Sequence, residues 1–92
     1  MEVEVGGPAV KTILVVDDEP RIASRLGELL QEHDVVIATN GTDAIARLSE
    51  STFDAVFCDL MMPNVKGTDV FETIVREQPR LHHRFIFMTA GA

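Results

Sequence analysis

The chain has 92 residues, room for a single domain, and its 46% hydrophobic and 25% charged residues are the balance of a folded globular protein rather than a disordered tail. Eight basic against fifteen acidic residues leave a net charge of −7, which repels nucleic-acid phosphates and anionic lipid and sets both aside as partners. One cysteine excludes an internal disulfide and points to a reducing, cytoplasmic setting, and no apolar run approaches the roughly 18–20 residues of a membrane span.

Residues 1–10 carry Gly6, Gly7 and Pro8 with no amphipathic period, and read as a linker or chain end. Glu2 and Glu4 stand where a signal peptide would be basic. Residues 11–92 read as one domain. Ile13-Leu14-Val15-Val16 is a short β-branched run that stops at Asp17-Asp18, the pattern of a strand buried on both faces. Pro20 suits the first turn of a helix whose apolar face is Ile22, Leu26, Leu29 and Leu30.

The unit then recurs. Val35-Val36-Ile37-Ala38 predicts a second strand, and Ala44, Ile45 and Leu48 a second helix. Asn40-Gly41 has the residues of a hairpin turn, but helical spacing follows it, so no hairpin is expected. Ala55-Val56-Phe57-Cys58 predicts a third strand ending at Asp59. Val70, Phe71, Ile74 and Val75 line a third helix that stops before Pro79, and Phe85-Ile86-Phe87-Met88 predicts a fourth strand ending at Thr89. Strands alternating with helices imply right-handed crossovers onto a parallel sheet, an α/β doubly wound fold.

In such a sheet, ligands bind outside the carboxyl ends of the strands. Those ends deliver Asp17, Asp18 and Glu19, then Asp59, then Thr89. Clustered carboxylates repel one another, and a hard divalent cation with oxygen ligands, Mg²⁺ above all, relieves that repulsion. His82 and His83 precede the fourth strand, at the opposite edge, and offer no transition-metal cluster. Plainer roles exist for each residue. Asp17 and Asp18 suit a helix cap, Asp59 a solvated loop, and Thr89 an ordinary strand end. The side chains of Met61 and Met62 read as packing residues, Cys58 as a small buried hydrophobe, and Lys66 as a solvated lysine.

The ordered set resembles the receiver domain of two-component response regulators. The resemblance lies in Asp17-Asp18 after strand one, Asp59 after strand three, Pro63 and Gly67 in the loop beyond it, and Thr89-Ala90 after strand four. It covers Lys11 to Ala92 and implies a flavodoxin-like sheet of order 2-1-3-4. It further implies that Asp59 accepts a phosphoryl group from a histidine kinase or phosphotransfer protein. Mg²⁺ would be held by Asp17, Asp18, Asp59 and the Met61 backbone carbonyl, and Thr89 would bond a phosphoryl oxygen and act as the switch.

The chain departs from the family at its carboxyl end. The last helix, strand and helix of a complete receiver are absent, and with them the lysine that pairs with the phosphoryl group. Lys11 lies at the wrong edge to replace it, and Lys66 lies in the acceptor's own loop. The chain is then either a fragment of a longer one or a shortened receiver, and the apolar edge strand Phe85-Ile86-Phe87, which proteins normally cover, favours the fragment. Glu32–Asn40 and Phe87–Gly91 resemble receivers of hybrid sensor kinases. Two functions from different classes follow: a phosphoacceptor, or a pseudo-receiver that binds or dimerises without phosphorylation. An aspartate-nucleophile phosphatase fits less well, because Asp17-Asp18-Glu19-Pro20 lacks an Asp-x-Asp spacing. An uncovered fourth strand also predicts self-association through its open edge.

Overall fold

The apolar run after Lys11 becomes the central strand because it can be covered on both faces: Ile13 to Val16 are all buried. The computed structural model describes residues 10–62 and 65–88. Its elements are β1 (Thr12–Val16), α1 (Pro20–Leu29), β2 (Asp34–Ala38), α2 (Gly41–Glu50), β3 (Ala55–Asp59), α3 (Gly67–Glu77), a 3₁₀ helix (Pro79–Arg84) and β4 (Phe85–Met88). The four strands form one parallel sheet in the order β2-β1-β3-β4. The expected α/β architecture and flavodoxin-like order are therefore present.

Alternation along the strands splits the core in two. Leu14, Val16, Val56 and Cys58 point to the face covered by α2 and α3, where they meet Ala44, Leu48, Val70 and Ile74. Ile13 and Val15 point the other way, toward Ala23 of α1, with Leu26, Leu30 and Phe57 at the margin. α1 is thus alone on its side among the described elements. Its cluster is the smaller one.

Local chemistry sets the helix boundaries. The Asn40 side chain accepts from the Asp43 amide at 2.7 Å and caps α2, so Asn40-Gly41 begins a helix as the following spacing required. α3 stops at Glu77, two residues before Pro79, and the Gln78 side chain donates to the Leu48 carbonyl at 2.8 Å, tying its end to α2.

One expectation fails. Leu29 does not belong to the buried face of α1; it is 67% exposed. At 3.6 residues per turn it lies roughly 120° around the helix from Ala23, whereas Leu26 and Leu30 lie within about 60° of it. The helix seats on the sheet through Ala23, whose small side chain permits close approach.

Candidate functional site

Two aspartates are carried to one point by adjacent strands. The Asp17 amide continues the sheet beyond β1, donating to the Ala38 carbonyl at 3.0 Å. Its carboxylate then turns back, and Oδ1 accepts from the Glu19 amide at 2.8 Å. Glu19, not Asp17 or Asp18, caps α1: its carbonyl receives the Ile22 and Ala23 amides, and its side chain lies 3.5 Å from the Arg21 amide. Pro20 occupies the first helical turn as its spacing predicted. The capping role is thus filled by a third residue, and Asp18 is left exposed at the corner.

Asp59 ends β3, buried at 4% exposure. Its Oδ1 accepts from the Met61 amide at 3.1 Å, while the Leu60 amide donates to the Met88 carbonyl of β4 at 3.0 Å. It is not a solvated loop residue. One carboxylate oxygen from each of Asp17, Asp18 and Asp59 lies within 4.8 Å of the others, a group of the size that a metal ion spans.

The electrostatics match this crowding. Burial pushes the Asp17 carboxyl above its ordinary value, and the charges of Asp59, Asp18 and Glu19 push the same way against the bond from the Glu19 amide. Burial, then Asp59 and Asp17, drives the neighbouring Cys58 thiol up to about 12, so it stays protonated and unreactive. That agrees with the small-hydrophobe reading of Cys58.

The donor set fits a hard cation. Three carboxylates offer anionic oxygens, with no imidazole or thiolate among them, and any cation they share offsets their mutual repulsion. Of the two methionines expected to pack, only Met62 is buried: the Met61 amide is held by Asp59, which turns its side chain outward to 75% exposure. Lys66 is exposed at the start of α3, its amide bonded to the Asp69 carboxylate at 3.0 Å. Lys11 is at the far edge of the sheet, where its amide donates to His33 Nδ1 at 3.1 Å. Pro63 and Thr89 lie outside the described residues.

Gly67 stands in the sequence only as one mark of the family resemblance, and its physical role is visible in the fold. Gly67 opens α3 directly against the backbone of Asp59, with the Asp59 carbonyl and the Leu60 Cα where a Cβ would stand. Gly41 is confined by Val65, chiefly by its side chain. The only trace of either in the sequence is a glycine at a helix start.

The model of the response regulator receiver domain matches residues 13–92. The chain belongs to the response regulator receiver family. It is 44% identical over 64 residues to the transcriptional regulatory protein ResD of Bacillus subtilis, covering 67% of this chain and 27% of that one. To the probable transcriptional regulatory protein TcrX of Mycobacterium tuberculosis it is 36% identical over 72 residues, covering 76% and 31%. The receiver thus spans less than a third of these curated relatives. Among solved structures it resembles the response regulator TrrA of Thermotoga maritima in complex with Mg²⁺-BeF. The TM-score there is 0.79 at 33% identity, over 90% of this chain and 72% of that one. The chemotaxis protein CheY4 of Vibrio cholerae shares the fold at a TM-score of 0.82 and 23% identity, over 91% of this chain and 72% of that one. Among the described residues, no helix is long and apolar enough to cross a membrane.

Proposed function

We propose that this receiver takes a phosphoryl group from a phosphohistidine donor onto Asp59, with Mg²⁺ held by the acidic cluster. The observation that carries the reading is the convergence of Asp17, Asp18 and Asp59 within 4.8 Å at the carboxyl ends of β1 and β3. The Met61 amide holds Oδ1 of Asp59 and leaves Oδ2 for attack on phosphorus. As the new O–P bond forms, the P–N bond to the donor imidazole breaks, and its electron pair returns to nitrogen.

Positioning and charge neutralisation supply most of such a reaction. Mg²⁺ would neutralise phosphoryl oxygens and hold them in line. Asp18, exposed, and Asp17, whose second oxygen is not engaged by Glu19, would hold the ion with Asp59, and the Met61 carbonyl would add a neutral donor. Thr89 follows Met88, whose Cα is paired with Asp59 in the sheet. That place in the chain suits the phosphoryl hydrogen bond and the switch assigned to it by family resemblance.

The same reading takes a histidine kinase or phosphotransfer protein as the donor, with a hybrid sensor kinase as one parent, and a cytoplasmic site of action. It also takes the open edge of β4 as a route to self-association. TrrA was crystallised with Mg²⁺-BeF, a tetrahedral phosphoryl mimic, and the test uses that probe. Fluorine NMR of this chain with Mg²⁺ and beryllofluoride is expected to give a bound resonance that Asp59→Asn lacks. A bound resonance in both, or in neither, contradicts the assignment.

A further inference from the structure

We propose that Gly41 and Val65 are positioning residues for Asp59: the first residue of α2 braces the loop that leaves the aspartate, and through that loop the aspartate itself. The inference rests on the phosphoacceptor reading and extends its machinery to residues outside the acidic cluster.

Gly41 begins the buried stripe of α2, which continues through Ala44 and Leu48 into the core. Its backbone lies outside the left-handed region, so an alanine would meet no conformational obstacle there and would favour the helix. What excludes a side chain is Val65. Its Cγ1, Cβ and carbonyl oxygen all lie within 2.8 Å of the place a Cβ would take. Val65 is itself packed, partly buried, against the same core as α2. The glycine is therefore a matter of room, and the room is filled by the loop that follows Asp59.

That loop has little freedom to yield. At its start the Met61 amide donates to Asp59 Oδ1 at 3.1 Å, and Met62 is buried in the core. At its end, two residues after Val65, Gly67 rests on the Asp59 carbonyl, and its amide reaches the Leu60 carbonyl at 3.4 Å. A push on Val65 is thus passed to main chain at Asp59, because packed interiors transmit strain rather than absorb it. The α2 side is equally firm. Asn40 caps the helix through the Asp43 amide at 2.7 Å, and Asp43 pairs with Arg47 at 3.3 Å.

The other buried aspartate is tied to the same place. The Asp17 amide donates to the carbonyl of Ala38, which ends β2 just before Asn40 and Gly41. The first turn of α2 therefore stands between the chain that leads to Asp17 and the chain that leads to Asp59. Pairing of β1 with β3 sets the two strand ends. The contact of Gly41 with Val65 governs the chain beyond them, where the Met61 carbonyl would face an ion. Residues that orient ligands without touching the ion control its affinity.

The test has a metal-free arm and a Mg²⁺ arm. In metal-free buffer Gly41→Ala is expected to move the Leu60 and Met61 amide resonances. Gly27→Ala, the same change on α1 where a Cβ meets only Ile37 at 3.9 Å, is expected to leave them in place. Val65→Gly added to Gly41→Ala vacates the space and should return them toward their wild-type positions. With Mg²⁺, well below each melting temperature, Gly41→Ala is expected to bind the ion about tenfold more weakly, and the double variant to recover most of that loss. A lower melting temperature with unchanged Mg²⁺ affinity makes Gly41 a packing residue only and overturns the proposal. So do Leu60 and Met61 resonances that ignore Gly41→Ala. If Gly41→Ala does not fold, Val65→Ala, which loosens the loop instead of crowding it, is read in both arms against the same outcomes. A wild-type chain that binds no Mg²⁺ contradicts the phosphoacceptor reading, and the metal-free arm still decides whether Gly41 positions Asp59.

Discussion

Gly67 stands directly on the backbone carbonyl of Asp59, so the first residue of α3 fixes the height at which the buried aspartate sits. A side chain at this position would have to push against main chain, which does not give way as a flexible side chain does. Gly67→Ala is therefore an overpacking change, expected to cost about 1–3 kcal/mol of unfolding free energy in urea titrations. The strain falls on Asp59 itself, so the same variant should also bind Mg²⁺ more weakly. Wild-type stability in Gly67→Ala would mean that α3 can withdraw from Asp59.

Asp17 makes the acidic cluster a burden on the fold in metal-free buffer. Its carboxyl holds a proton more tightly folded than unfolded, so the native state carries the extra proton as pH rises from the ordinary value of 3.8. Stability is lost through that window, and the penalty persists at neutral pH. Asp17→Asn keeps an oxygen for the Glu19 amide and removes the charge. In metal-free buffer it is expected to melt higher than the wild type at pH 7, with the gain vanishing below about pH 3.8. A gain of equal size at both pH values would point to packing rather than charge.

Mg²⁺ should reverse that penalty. An ion that binds only the folded chain stabilises it by roughly 2.7 kcal/mol at about one hundred times its dissociation constant. Asp18 is the solvent-facing carboxylate of the cluster, and Asp18→Ala is expected to melt at nearly the same temperature with and without Mg²⁺. An equal Mg²⁺ response in wild type and Asp18→Ala, read by thermal melts, would place the ion outside the cluster.

Much of this arrangement is written in short-range pattern. The runs Ile13–Val16 and Ala55–Cys58 each end in aspartate, and a parallel sheet brings the two ends together without any further signal. What the pattern cannot carry is contact between distant positions. The clash that keeps Gly67 a glycine involves residues eight apart, and the seating of α1 on Ala23 rather than through Leu29 depends on how closely that helix approaches the sheet. The 3₁₀ helix at Pro79–Arg84 buries Leu81 alone, too little apolar periodicity to be read. Glu19 takes the cap because Asp17 is already turned toward the Glu19 amide, a choice between adjacent carboxylates that composition does not make.

The account depends above all on Asp59 as the phosphoacceptor, and intact-mass measurement after incubation with acetyl phosphate and Mg²⁺ addresses it most directly. The wild-type chain is expected to gain a single phosphoryl group, labile as an acyl phosphate is. Asp59→Asn, which preserves the shape and the bond from the Met61 amide, is expected to gain none. A phosphoryl adduct on Asp59→Asn, or a wild-type chain that stays unmodified while Mg²⁺ is bound, would contradict it.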